Sequence, residues 1–78
     1  HALRGKAFYQ LGRYREAADE LLKANALYDS DISVLNALGL SFLRLGNPLE
    51  AKKALSASLK IKAAQPDIVA LLQQVQVP

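Results

Sequence analysis

Cysteine is absent, and histidine occurs once, at His1. Without thiols there are no disulfides and no thiolate metal sites, and the redox compartment is left open. Nucleophilic catalysis needs a base beside the nucleophile, the only histidine is the terminal His1, and no catalytic set is seen to assemble. Aromatic residues make up only 6% of the chain and β-branched residues are sparse, while alanine and leucine dominate. That balance favours helix over strand. No apolar run approaches the roughly 20 residues needed to cross a bilayer, and no basic-then-apolar signal segment opens the chain. The four glycines stand singly, so no glycine-rich loop is available to cradle a phosphate. Clustered metal ligands are missing too. Only Asp29 and Asp31 come close to each other, and both read as helix caps. Glu16 and Glu20 share a helix face ringed by Arg13, Arg15 and Lys23, and read as solvated charge. No enzyme activity, metal or cofactor is expected.

What is present makes one small domain. Seventy-eight residues lie near the lower limit for burying a self-sufficient core. At 51% hydrophobic, the chain is too apolar to remain disordered. The net charge of +3 is unevenly spread. Residues 1–31 carry five basic and five acidic groups, whereas residues 32–65 set Arg44, Lys52, Lys53, Lys60 and Lys62 against Glu50 alone. A basic half invites an acidic or nucleic-acid partner. The alternative is an ordinary solvated lysine face, since four of those cations fall on one helix expected to face outward.

The stretch from Leu35 to Leu59 organises the rest. Shifted back by 34 positions, Gly39 falls on Gly5, Phe42 on Phe8, Leu45 on Leu11 and Gly46 on Gly12. Glu50 falls on Glu16, Ala51 on Ala17, Leu55 on Leu21 and Ser58 on Ala24. A fixed period of this length marks a stacked helical array.

Helical recurrence of Leu3, Ala7, Phe8 and Leu11 predicts a first helix over residues 2–11, closed by Gly12 in a left-handed conformation. A second, from Tyr14 to about Tyr28, carries Ala17, Ala18, Leu21, Leu22, Ala24 and Leu27 as an apolar stripe, with Asp19 placed to support Lys23. The cluster Asp29-Ser30-Asp31 caps a third helix bearing Val34, Leu35, Leu38, Phe42 and Leu45, which Gly46 ends. Asn47 then caps a fourth, with Pro48 in its first turn and Glu50 placed to close a capping box. It should run to Ala63 or Ala64. After Gln65-Pro66-Asp67, a short last helix from Ile68 to about Gln76 uses Val69, Leu72 and Val75 as its apolar side. The expected fold is all-α, about five helices: two antiparallel pairs joined by short turns, then one more.

These residues resemble the tetratricopeptide repeat (TPR) family, whose pattern is a large residue, Leu-Gly-x-x-Tyr, then Ala-x-x-x-Phe over 34 residues. The second copy matches through Leu35, Leu38-Gly39, Phe42, Gly46, Ala51, Leu55 and Ser58. The first matches through Gly5, Phe8, Gly12, Ala17, Leu21 and Ala24. The resemblance implies a single domain over residues 1–78 built as a short right-handed solenoid. Repeat 1 would cover about 1–31, repeat 2 about 32–65, and a capping helix about 66–76. Gly5 and Gly39 would lie where paired helices cross, faced by Ala17 and Ala51, with Phe8 and Phe42 filling the space one turn on. The chain departs from the pattern at His1 and Arg4, where large apolar residues belong. The closing proline is missing, with Asp29 and Ala63 in its place. Gln73 and Gln76 replace a small and an aromatic residue, which favours a capping helix over a third repeat cut short. His1 reads as a terminal remnant of a first helix entered partway.

In this family the first helices line a concave groove, so the resemblance places a peptide-binding site at Lys6, Tyr9, Gln10 and Arg13 with Asn36, Leu40, Leu43 and Arg44, alongside Ala2, Ser33 and Ala37. One aromatic, two leucines, an amide and cations suit a peptide or protein segment with apolar anchors and an acidic group. Packing against the last helix is the alternative for Leu40 and Leu43, and plain solubility for Lys6 and Arg44. The lysine-asparagine clamp that some members use on chaperone C-termini is absent: Ala2 and Lys6 stand at two of its positions, and Asn36 is one place off. The expected function is therefore a protein-interaction module. RNA binding by a helical repeat is the second reading, although cations on the outer helix argue against a nucleic-acid partner. An appendage that positions or oligomerises a larger enzyme is the third. No membrane partner is expected. Two repeats leave apolar end faces at Leu3, Ala7 or Leu11, which implies either further repeats in a parent chain or self-association.

Overall fold

Two glycines with positive φ set the connections that define this fold. A computed structural model describes residues 1–28 and 30–75. They form α1 (Ala2–Gln10), α2 (Tyr14–Leu27), α3 (Ile32–Arg44), α4 (Pro48–Ile61) and α5 (Pro66–Gln74), with no strand among them. The protein is all-α. At the end of α1, Gly12 takes φ +78° and donates to the Tyr9 carbonyl at 3.0 Å, while the Arg13 N–H reaches the Phe8 carbonyl at 2.9 Å. The end of α3 repeats this with Gly46 at φ +74°, donating to Leu43 at 3.1 Å, and Asn47 donating to Phe42 at 2.9 Å. Both are Schellman closures, which satisfy carbonyls that a helix end leaves open. Identical closures turn each pair at the same register.

The helix starts differ in how they are capped. Asp31 accepts the Ser33 and Val34 N–H groups at 2.9 and 3.4 Å and so starts α3. Asp29, the other candidate cap, lies outside the described residues. Asn47 accepts the Glu50 N–H at 3.5 Å, but the expected capping box is only half made. The Asn47 N–H is already used by the Phe42 carbonyl, so Glu50 turns to Lys53 at 3.5 Å. Helix α4 stops at Ile61 rather than Ala63, because Lys62 is already extended at φ −140°, ψ 103°. Helix α5 begins at Pro66, earlier than expected, proline fitting the first helical turn. The part of the expected capping helix at Gln76 lies outside the described residues.

Packing follows chain order. α2 packs against α1 and α3, α3 against α4, and α5 against α4. Ala17, Ala18, Leu21, Ala24, Val34, Leu38 and Ala54 form the buried core, with Phe8, Phe42 and Leu45 packed onto it. The stripe on α2 is narrower than its sequence suggests: Leu22 and Leu27 are 47% and 64% exposed. Two neighbouring helices cover only the side that holds Ala17, Ala18, Leu21 and Ala24. On α5 the buried residue is Ile68, while Val69 is exposed and Leu72 and Val75 are half-buried. Leu3 and Leu11 stand 84% and 70% exposed, as the sequence implied for that side of α1.

The crossings are tighter than expected and use a different partner. A Cβ on Gly5 would lie 2.7 Å from Leu21 Cγ, and one on Gly39 would lie 2.6 Å from Leu55 Cγ. Leucine side chains therefore sit on the glycines. Ala17 and Ala51 contribute carbonyl oxygens, 3.3 and 3.5 Å from the same points. Glu20 also departs from expectation, for it is buried and not solvated. His1 Nδ1 at 2.7 Å, Arg4 at 3.5 Å and Lys23 at 3.7 Å converge on its carboxylate, offsetting the cost of burial. Lys23 thus pairs with Glu20 instead of Asp19. Among the described residues no helix is long and apolar enough to cross a membrane.

Glycine-to-alanine changes separate the two roles. Gly39→Ala should destabilise by about 1–3 kcal/mol despite alanine's better helix propensity, because Leu55 is fully buried and cannot step aside. Pairing it with Leu55→Ala should make the glycine change close to neutral. At Gly46 an alanine meets no atom within 4 Å, yet it should cost about 1–2 kcal/mol through its left-handed backbone. Urea denaturation of the variants measures each difference.

Candidate functional site

Helical spacing brings the site together from two elements. Lys6, Tyr9 and Gln10 lie three and four apart on α1, and Ser33, Asn36, Ala37 and Leu40 do so on α3. Residues so spaced share a helix face. Because α1 and α3 each begin a pair that turns the same way, those faces meet. Together they line an open cavity of about 390 Å³, within the size range of ligand pockets and near its lower end. Tyr9, Ala37 and Leu40 supply its apolar surface, and Lys6, Gln10, Ser33 and Asn36 its polar groups.

The polar groups are tied into the scaffold. Lys6 Nζ donates to Ser33 Oγ at 2.8 Å, and that hydroxyl donates to Asp31 Oδ1 at 2.7 Å. The hydrogen bond from Ser33 Oγ is the largest influence holding the Asp31 carboxyl below its ordinary value of 3.8. Desolvation, the next-largest influence, opposes it, while the Val34 and Ser33 N–H groups and the Lys6 charge add to it. On α3, Asn36 Nδ2 donates to Gln65 Oε1 at 2.9 Å. Gln65 itself is buried, its Nε2 shared among the Lys62 carbonyl at 2.8 Å, Ser58 Oγ at 3.0 Å and the Ser58 carbonyl at 3.3 Å. Two of those acceptors are carbonyls, which fixes the orientation of the Gln65 amide and, through it, that of Asn36. Asn36 Oδ1 is buried without a hydrogen-bond partner among the described residues.

The sequence-predicted site residues divide into two groups. Lys6, Tyr9, Gln10, Asn36 and Leu40 all line the cavity, together with Ser33 and Ala37. Ala2, Arg13, Leu43 and Arg44 do not. Ala2 packs against the core. Arg13 grips Glu16 through two bonds of 2.7 and 2.6 Å and lies over the Phe8 ring, 5.1 Å from its centre. Leu43 is half-buried away from the lining. Arg44 is outside the lining, its guanidinium 6.0 Å from the centre of the Tyr14 ring. Tyr14 in turn meets Tyr9 edge-on, with centres 5.4 Å apart. Interaction with the nearby Tyr9 hydroxyl, and then the charge interactions with Tyr9 and Tyr14, raise the Arg44 pKa above its ordinary value.

Sequence reasoning did not assign Gln65, Asp31 or Tyr14 to the site. Gln65 carries one usable signal: a long polar residue directly before Pro66, at a helix start where its own backbone is fixed. The cations expected on an outer face, Lys52, Lys53, Lys60 and Lys62, are all exposed on or just past α4, away from the cavity lining. None of the family models, curated proteins or solved structures compared with the chain matches it.

Two expectations concern the scaffold of the site. A carboxyl held low by folding stabilises the folded state fully above its unfolded value, and that stabilisation is lost as pH falls through the lower folded value. Asp31→Ala should therefore cost about 1 kcal/mol at neutral pH, and stability should fall less between pH 5 and pH 3 (roughly the range flanking an aspartate's unfolded pKa) than in wild type. Gln65→Glu should destabilise by about 1–3 kcal/mol, because a carboxylate faces carbonyls where an N–H₂ belonged. Lowering the pH to protonate the introduced carboxylate should recover part of that loss. Denaturant titrations across pH measure both.

Proposed function

We propose that this chain is a protein-interaction module of the tetratricopeptide type, non-enzymatic, that holds a peptide segment against α1 and α3. One observation carries the reading: the cavity lies between the first helices of the two pairs, and its lining of Lys6, Tyr9, Gln10, Ser33, Asn36, Ala37 and Leu40 consists of groove residues assigned from the resemblance. Supporting it, two pairs close with the same glycine geometry and seat a leucine on a glycine at the same register. An apolar surface of Tyr9, Ala37 and Leu40, edged by Lys6, Gln10 and Ser33, suits one or two anchoring side chains with main-chain hydrogen bonds around them.

Panning a displayed peptide library on the purified domain tests this. Wild type should enrich a defined set of sequences. Leu40→Glu, which puts a charge into the apolar surface, should bind those peptides at least about tenfold more weakly, a loss of roughly 1.4 kcal/mol or more. Leu49→Glu, at an exposed position on α4, should bind as wild type does. Equal binding by Leu40→Glu and wild type would remove the cavity as the site.

A further inference from the structure

The three cations expected at the groove are not equivalent. Lys6 is committed to Ser33, behind which stands the Asp31 carboxylate. Arg13 is neutralised by Glu16 through a two-bond grip. Arg44 is exposed and has no carboxylate within ion-pair distance among the described residues. Its neighbours are two phenol rings, Tyr14 under the guanidinium and Tyr9 packed edge-on against Tyr14. Aromatic faces hold an arginine in place without cancelling its charge. Tyr9 is also a wall of the cavity, so the uncompensated charge borders the apolar surface.

We propose that Arg44, held by Tyr14 and Tyr9, is the anion anchor of the cavity and that its ligand is an acidic peptide. An aspartate or glutamate carboxylate pairs with the Arg44 guanidinium, while a neighbouring apolar side chain sits against Tyr9, Ala37 and Leu40. The planar guanidinium offers the paired N–H groups that a carboxylate accepts. A carboxylate, and not a phosphate, is the match, because one uncompensated cation balances one charge and a phosphoryl group brings nearly two. This assignment rests on the peptide-binding reading above.

The test uses the enriched peptides in fluorescence polarisation, each compared with versions in which Asp or Glu becomes Asn or Gln, or phosphoserine. Arg44→Gln should weaken binding of the acidic peptide by about tenfold or more, leave its amide version unchanged, and flatten the salt dependence. Arg13→Gln should bind as wild type does. A purely structural role for Arg44 would weaken acidic and amide peptides equally, and that result overturns the assignment. So would acidic-peptide binding unaffected by Arg44→Gln but lost in Leu40→Glu, which leaves the cavity reading standing. Tighter binding of the phosphoserine version would overturn the choice of carboxylate. Should wild type bind no peptide at all, the cavity reading fails first and the anchor with it.

Discussion

A leucine resting on a glycine is the contact on which the rest of this structure depends. Leu21 on Gly5 and Leu55 on Gly39 bring α1 onto α2 and α3 onto α4 at distances that any side chain at the glycine would prevent. Both leucines are fully buried, so the approach is set by close packing and leaves no slack. Because the seats fall at the same register and the pairs close on the same Schellman geometry, α1 and α3 present matching faces. The cavity is a consequence of that equivalence. It exists because two first helices lie side by side, and not because any one residue carves it.

Where the two pairs differ is equally informative. Positions that are apolar and buried at or near the joint between pairs are polar at their counterparts. Ala18 is buried beneath α3, and its counterpart Lys52 is exposed. Leu35, Leu38 and Ala54 are buried, while their counterparts are His1, Arg4 and Glu20, drawn into one polar cluster. The repeat is thus strict in the residues that shape a pair and loose in those on the sides that meet the other pair in one copy only. Burial of Glu20 is tolerable because three partners surround it. An isolated carboxylate there would be strongly disfavoured.

Polar side chains supply the fixity that a core this small leaves unspecified. Asp31 starts α3 and also holds Ser33, which receives Lys6 from α1, so one carboxylate joins a helix cap to the edge of the cavity. Gln65 ties the end of α4 to α3 through Asn36 and sits at the start of α5. Groups that line the cavity are thereby oriented by groups that lie outside it. The uneven commitment of the cations has the same origin: local partners claim Lys6 and Arg13, and aromatic rings leave Arg44 its charge.

By itself the sequence determined the helix count, the pairing of helices, the left-handed glycines, the Asn47 cap and a capping cluster at residues 29–31. These follow from short-range spacing, because helical periodicity fixes which residues share a face and turn chemistry fixes where a face ends. Most of the cavity lining was reached only through the resemblance to a repeat family. Tertiary structure alone decided that Leu21 and Leu55, and not the alanines, occupy the glycine seats, that Glu20 is buried, and that Gln65 locks Asn36. It also decided which of Lys6, Arg13 and Arg44 stays uncompensated. Those outcomes depend on side chains many residues apart reaching the same point, and a linear period carries no information about which of several nearby groups arrives there first.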